Sequence, residues 1–368
     1  MQCYNITSNL RGYKGKKRVS YRQIRVPSFK QFGVPHLYEL CRDSRAPADG
    51  FFRRSLLLIL VGLAAAAAML PAAAQQEASK LKVVATFSIL GDFARNVGGD
   101  RVDVTTLVGP NGDVHVYSPT AADAEAIRNA RLVIVNGLGL EGWLPRLVKS
   151  SGGNATTVVA TRGIVPRKVA AGEGLSRDRG AGSVDPHAWQ SVANAEIYVA
   201  NIRDAMVAAD PTNAATYRAN ASAYLAKLTS LDHEVRKALA TIPVERRRVI
   251  STHDAFGYFA AAYDIMFMAP QGVSTETEPS ARDIATIIAQ IRKEKIPAVF
   301  LENISDPRLM RQIASETGAA IGGTLYSDSL TGENGPAPSY IEMVRHNVRT
   351  IVRALANSPA LSSRVIQE

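Results

Sequence analysis

Residues 212–228 read T-N-A-A-T-Y-R-A-N-A-S-A-Y-L-A-K-L, and this stretch divides the chain. It is rich in alanine, and Tyr217, Tyr224, Leu225, Leu228 and Leu231 recur near helical spacing, so one face of a helix is apolar. The pattern starts after Asp210-Pro211, where a first helical turn tolerates proline, and stops before Pro243. About 30 residues of helix reach about 45 Å at a rise of about 1.5 Å per residue, enough to bridge two lobes. A helical bridge is stiff where a Gly/Ser linker is not, so it permits little hinge motion.

On both sides of this helix, strand-like runs alternate with helical stretches. Strands are expected at 82–88, 102–108, 132–138 and 156–161 before it, and at 247–252, 264–269, 298–302 and 319–326 after it. A helix over 281–295, following Pro279-Ser280, is typical of the segments between them. Strands spaced by helices imply βαβ units and parallel sheets. Four strands in each half point to two similar lobes rather than one sheet of eight. The expected fold is α/β, with two βα lobes, each holding a parallel four-stranded sheet, joined by a single long rigid helix. The expected divisions are a leader over 1–74, an N-terminal lobe over 80–209, the connecting helix over 210–243 and a C-terminal lobe over 244–368. The stretch 170–183, A-A-G-E-G-L-S-R-D-R-G-A-G-S, is the clearest mobile loop.

The net charge of +10 over 368 residues suggests nucleic-acid binding until its placement is examined. Of 43 Lys and Arg and 33 Asp and Glu, residues 1–74 hold 12 and 3, leaving 31 against 30 for the rest. The body is nearly neutral, so the basic footprint of a nucleic-acid binder is absent. In the leader, Arg53 and Arg54 precede an apolar run over 56–70, then Pro71 and Ala72, Ala73 and Ala74 before Gln75. A basic start, a short apolar stretch and an A-x-A site make a secretory signal peptide over about 51–74. An uncleaved anchor would need roughly 20 apolar residues, and no cysteine follows the run to take a lipid. Residues 1–50 do not fit an export signal; they are expected to come from an over-extended start of translation, and no function is assigned to them. Cys3 and Cys41 both lie in the leader. The exported protein is therefore expected to hold no cysteine, which excludes disulfides and thiolate metal sites.

Metal chemistry is left to His, Asp and Glu. Beyond the leader there are five histidines: His115, His187, His233, His253 and His346. His115 lies in G-P-N-G-D-V-H-V-Y-S-P after the 102–108 strand, His187 in D-P-H-A-W, and His253 in S-T-H-D-A-F-G-Y-F after the 247–252 strand. Asp328 lies in L-Y-S-D-S-L, just past the last strand. Open α/β sheets bind ligands in such loops. Two candidates come from each half, which places a site in the cleft between lobes, with donors suited to tetrahedral zinc. Spacing alone leaves this open. There is no H-x-x-x-H or H-E-x-x-H pair, and a single histidine is more often packed or solvated than a ligand.

The surrounding motifs resemble the zinc/manganese-binding receptors of bacterial ABC importers. The matching stretches are V-G-P-N-G-D-V-H-V-Y-S-P-T, D-P-H-A-W, S-T-H-D-A-F-G-Y-F, E-K-I-P-A-V-F-L-E-N, L-Y-S-D-S-L and M-V-R-H-N-V, in family order over nearly all of residues 80–355. The resemblance implies four metal ligands, at His115, His187, His253 and Asp328. It implies a periplasmic receptor, expected to be a monomer, that delivers a divalent metal to an ABC permease in the inner membrane. A periplasmic metallochaperone is a further candidate partner. Members with glutamate at the third ligand position look like manganese binders, whereas this chain has His253. Three imidazoles and one carboxylate suit Zn2+ as the transported ligand, with Mn2+ the alternative. One departure is that many zinc members carry a His-rich loop before the second motif, and the 170–183 stretch has no histidine.

Other features are weaker. Residues 137–142, G-L-G-L-E-G, match a dinucleotide fingerprint, but the acidic residue expected about 20 positions on is missing. Trp143 and Trp189 read as core or lobe-packing residues. Asp185 and Asp254 could orient neighbouring imidazoles or cap helices, and Glu302, which ends a strand near the cleft, is a further candidate for the orienting role. His233 is expected to be solvated and His346 structural. No enzyme is expected, because four protein ligands would close the open position that a catalytic zinc needs. A secreted zinc hydrolase and a surface adhesin are the competing classes.

Overall fold

Runs of four to seven residues rich in β-branched residues in the first half form β1 (Leu81–Phe87), β2 (Val102–Val108), β3 (Leu132–Val135) and β4 (Thr156–Val159). Between them lie α1 (Ser88–Gly98), α2 (Ala121–Asn129) and α3 (Leu144–Ser151). The second half repeats the pattern with β5 (Arg248–Ile250), α6 (Gly257–Tyr263), β6 (Met266–Met268), α7 (Ala281–Glu294), β7 (Ala298–Glu302), α8 (Arg308–Thr317) and β8 (Ala320–Leu325). Two helices, α4 (Val192–Ala209) and α5 (Ala214–Leu239), stand between the halves, and α9 (Tyr340–Leu355) follows the second. The computed structural model describes residues 80–169 and 182–356. Residues 1–79, including the leader and its expected signal peptide, residues 170–181 of the expected mobile loop, and residues 357–368 lie outside the described residues.

The strands form two four-stranded sheets, ordered β2-β1-β3-β4 and β6-β5-β7-β8. Every strand pair is parallel. In each sheet the order reverses beside the first strand of its half, β1 or β5. The crevice beyond the carboxyl ends of the strands at such a reversal is where open α/β sheets place ligands.

Several strands are shorter than the apolar runs suggest. β3 stops at Val135 because Gly137, Leu138 and Gly139 take positive φ values of 83°, 56° and 85°. β5 covers 248–250 rather than 247–252, and β6 covers 266–268 rather than 264–269. Apolar residues beyond the strand ends, such as Ala160, Ile265 and Ala269, stay buried outside the strands, so their hydrophobicity reads as strand.

The long helix is present, with a short turn at Pro211–Asn213 before α5 itself. Its 26 residues span about 39 Å. It buries Tyr217, Ala221, Tyr224, Leu228, Leu231, Val235 and Leu239, a stripe repeating every three or four residues. Leu225 falls on the flank and is only half-buried. The helix is not a bare strut, because α1, α4 and α9 all pack on it. Asp92 of α1 accepts hydrogen bonds from the Tyr224 hydroxyl of α5 and the Tyr340 N–H of α9, at 3.2 and 3.0 Å. Arg345 of α9 makes two 2.9 Å contacts with Glu234 of α5. One apolar core runs through Phe87, Trp189, Tyr198, Leu228, Phe256, Phe300 and Tyr340, joining both sheets through these helices. Among the described residues, no helix is long and apolar enough to cross a membrane.

Candidate metal centre

Each of the four candidate side chains is set by a short local device. Asp113 and Asp185 each stand two residues before a histidine, in D-V-H and D-P-H. In both, the carboxylate accepts the backbone N–H of that histidine at 2.9 Å. This Asx turn fixes the histidine's backbone without regular structure. His187 is thereby placed just before a short helical turn over Ala188–Gln190. His253 follows β5 and pairs with Gln271 as a short continuation of the β5–β6 ladder. Asp328 lies three residues past β8, and the Ser327 carbonyl before it accepts hydrogen bonds from Trp189 Nε1 at 2.9 Å and Gln190 Nε2 at 2.7 Å. The residue before His115 is held in the same way: Trp143 Nε1 donates to the Val114 carbonyl at 2.9 Å.

These loops bring one atom each from His115, His187, His253 and Asp328 within 4.8 Å of one another. His115 Nε2 is 3.3 Å from His187 Nε2 and 3.2 Å from Asp328 Oδ2. His253 Nε2 is 3.2 Å from Asp328 Oδ2, and His187 Nε2 is 3.6 Å from Asp328 Oδ1. Four donors around a zinc with bonds of about 2.05 Å stand about 3.3 Å apart along tetrahedral edges. His115 is 7% exposed and the other three are 0% exposed. Both Asp328 oxygens and His253 Nε2 are buried without a hydrogen-bond partner. Leaving such groups unsatisfied is costly, and a cation between them removes that cost.

Two further carboxylates face the far sides of the rings. His187 Nδ1 donates to Asp185 Oδ1 at 2.9 Å, and His253 Nδ1 donates to Glu302 Oε2. Each bond keeps the proton on Nδ1, so the Nε2 lone pair points at the centre and becomes more basic. Glu302 ends β7 beside β5, at the reversal of strand order, and its Oε1 accepts the N–H groups of Thr252 and His253 at 2.7 and 3.0 Å. Of the three acidic residues considered as orienters, Asp185 and Glu302 act on imidazoles. No described hydrogen bond joins the buried Asp254 carboxyl to an imidazole, and burial raises its pKa. Gly257 lets the Arg167–Asp185 pair approach closely: a Cβ there would lie 2.3 Å from Arg167 Nη1 and 2.5 Å from Asp185 Oδ2, so those side chains would have to move.

Without a metal, the charges are strongly coupled. Burial disfavours the charged form of His187, but Asp328 and Asp185 outweigh it and push its pKa up to about 9. Burial likewise opposes protonation of His253, yet Glu302 and Asp328 hold it well above the ordinary imidazole value. For Asp328, burial opposes ionisation, and the facing His253 and His187 hold it well below the usual carboxylate range. Without a metal, the lowered Asp328 carboxylate thus faces two imidazoles, His187 and His253, that it helps to hold in their protonated form.

The remaining expectations can be placed. Among the described residues no other cluster of His, Cys, Asp and Glu has metal-binding geometry. His233 is exposed on α5, and His346 donates Nε2 to the Thr324 carbonyl at 3.1 Å. The G-L-G-L-E-G loop is closed on itself. The buried Glu141 carboxylate takes the N–H groups of Asn136 and Gly137 and the Thr86 hydroxyl, so these donors do not point at a phosphate. Trp189 packs against Phe87 and the His187 ring, with centroids 5.0 and 5.2 Å apart. Sequence reading found both tryptophans as packing residues but missed their indole N–H bonds to the carbonyls preceding His115 and Asp328, and Gln190 altogether. Nothing local in D-P-H-A-W-Q foretells a bond to residue 327.

A sequence profile of the family described as zinc-uptake complex component A, periplasmic, matches residues 83–354. The iron-binding protein YfeA of Yersinia pestis is 38% identical over 276 residues, covering 75% of this chain and 86% of that protein. The manganese-binding lipoprotein MntA of Halalkalibacterium halodurans is 34% identical, covering 76% and 90%. Among solved structures, the periplasmic zinc-binding protein TroA of Treponema pallidum superposes with a TM-score of 0.69 at 31% identity, covering 76% of this chain and all of that one. The manganese-bound periplasmic metal-binding protein of Candidatus Liberibacter asiaticus gives 0.66 at 34% identity, covering 74% and 98%.

Proposed function

The chain belongs to this family of metal-binding receptors of ABC importers, and from that premise we propose that it captures zinc in the periplasm and delivers it to an inner-membrane ABC permease. The observation that carries the reading is the buried tetrad itself, in which three imidazole nitrogens converge on a carboxylate whose two oxygens lack any hydrogen-bond partner. His115, His187, His253 and Asp328 are the metal ligands in this reading, and zinc is the transported substrate. Three nitrogen donors and one oxygen favour zinc over manganese, which prefers more oxygen. Four protein donors complete a tetrahedron and leave no position for a reacting water, which separates a carrier from a zinc hydrolase.

The rest of the reading follows from the sequence. The signal peptide over about 51–74 exports the chain, and no cysteine follows it to take a lipid. The working unit is a monomer of N-terminal lobe (80–209), connecting helix (210–243) and C-terminal lobe (244–368). Calorimetric titration of the metal-free protein should give one tight zinc per chain. A second equally tight site, or His253→Ala binding zinc as tightly as the parent, would overturn the four-ligand assignment.

Manganese is the second reading, favoured by the manganese-binding relative and the manganese-bound neighbour at 34% identity. Metal analysis of protein purified from its native periplasm decides between the two.

A further inference from the structure

With three of the four donor side chains fully buried and His115 only 7% exposed, an ion can leave only when a loop moves aside. The turn before His115 is one part of the wall that is fastened across the cleft. Asn111 has φ of 57°, a left-handed conformation that asparagine tolerates. That conformation lets its N–H donate to the Leu330 carbonyl at 2.9 Å. Asn303 Nδ2 donates to Asn111 Oδ1 at 3.2 Å. Asp113 completes the fastening, with Oδ2 accepting the Thr275 hydroxyl at 2.6 Å while Oδ1 accepts the His115 N–H at 2.9 Å. One turn of the first half is therefore tied to the loops that follow β6, β7 and β8 of the second.

Asp113 and Asp185 use the same Asx turn toward different ends. Asp185 spends its remaining capacity on the His187 ring and on Arg167 Nη1 at 3.3 Å, all within the first half. Asp113 touches no imidazole ring, and its free oxygen reaches across the cleft. Thr275 is itself tied to the other side of the centre: its carbonyl accepts Gln271 Nε2 at 3.1 Å, and Gln271 pairs with His253. A continuous path thus joins His115, Asp113, Thr275, Gln271 and His253, with a single side-chain bond crossing between halves. That bond has a charged acceptor, the stronger kind of hydrogen bond.

The geometry points to Asp113 and Thr275 as positioning residues that form a latch, setting how fast the bound ion escapes. Neither touches the ion. The latch holds the His115 loop shut, so its loss acts on dissociation rather than on the donor set. This inference rests on the metal-receptor reading, and its test separates the two.

Zinc-loaded parent and variants are mixed in stopped flow with excess chromophoric chelator, and cobalt-loaded samples supply the ligand-field spectrum. Thr275→Val removes the hydroxyl at nearly constant shape. It should release zinc about tenfold faster, the scale of one charge-assisted bond lost from the shut state, with an unchanged cobalt spectrum. Thr275→Ser, which keeps the hydroxyl, should restore the parent rate. In an Asp113→Ala background, Thr275→Val should add nothing. Release at the parent rate from Thr275→Val, an additive effect in the double variant, or an altered cobalt spectrum in Thr275→Val would each overturn the latch. A parent that takes up no zinc would overturn the receptor reading and the latch with it.

Discussion

At His253 the two ring nitrogens have separate tasks. Nδ1 is committed to Glu302, which leaves Nε2 aimed at Asp328. Glu302→Gln keeps the size but removes the charge, and it puts an NH2 group where either the ring or two backbone N–H groups donate. Zinc affinity should fall about 10- to 100-fold, the usual cost of losing a carboxylate that orients a metal-bound imidazole. His253→Glu tests the choice of metal at the same place. A second carboxylate moves the donor set toward oxygen, so the zinc-to-manganese affinity ratio should drop. His233→Ala, on the exposed face of α5, should leave that ratio alone. Competition titrations of both metals against one chelator measure all three variants, and an unmoved ratio in His253→Glu would remove the basis for preferring zinc.

At the scale of elements, α5 tests whether the bridging helix holds the two halves as one body. Leu228 is fully buried in the core shared by both sheets. Leu228→Ala should destabilise the protein by about 2–5 kcal/mol, the transfer and cavity cost of a fully buried leucine. A single urea transition monitored in both halves, lowered in midpoint, is the expected result. Two separated transitions would mean that the halves unfold independently and the shared core is not cooperative. The start of α6 makes a different demand. Gly257 packs against the Arg167–Asp185 pair with no room for a Cβ, and Asp185 in turn orients His187. A short helix far along the chain thus shapes the surroundings of a candidate ligand, His187, of the opposite half.

At the scale of the whole molecule, stability and metal binding answer to pH in opposite ways. In the metal-free protein the raised pKa of His187 contributes stability that is complete below about 6.5, its ordinary value, and is lost as pH rises toward about 9. His253 acts in the same direction. The lowered Asp328 contributes stability present above its ordinary value near 3.8 and lost as pH falls through its folded value. Metal-free protein should therefore be most resistant to urea in mildly acidic solution and weaken toward pH about 9. On the proposed reading zinc displaces the protons of His187 and His253, so its affinity should rise with pH through neutrality and fall sharply toward pH about 5. Calorimetry in buffers of different ionisation enthalpy should show about two protons released per zinc near pH 7. A titration with no proton release would contradict protonated rings in the metal-free centre.

The sequence by itself determined the architecture: two runs of alternating strands and helices, a long helix at 211–242, and a nearly neutral body behind a basic leader. These follow from local periodicity and composition, which a linear reading captures. It also supplied His115, His187, His253 and Asp328 as candidates, because each lies in a loop after a strand or before a helix and in a recognisable motif. Their convergence to within 4.8 Å depends on parallel sheets that bring the segments after β2, β4, β5 and β8 to one crevice. The partnership of Glu302 with His253 arises only because β7 lies beside β5, 49 residues away in sequence. Only tertiary structure could decide that Asp113 reaches Thr275, 162 residues on. A hydrogen bond has no sequence period, and which carboxylate meets which hydroxyl is set by where the packed helices hold the two sheets.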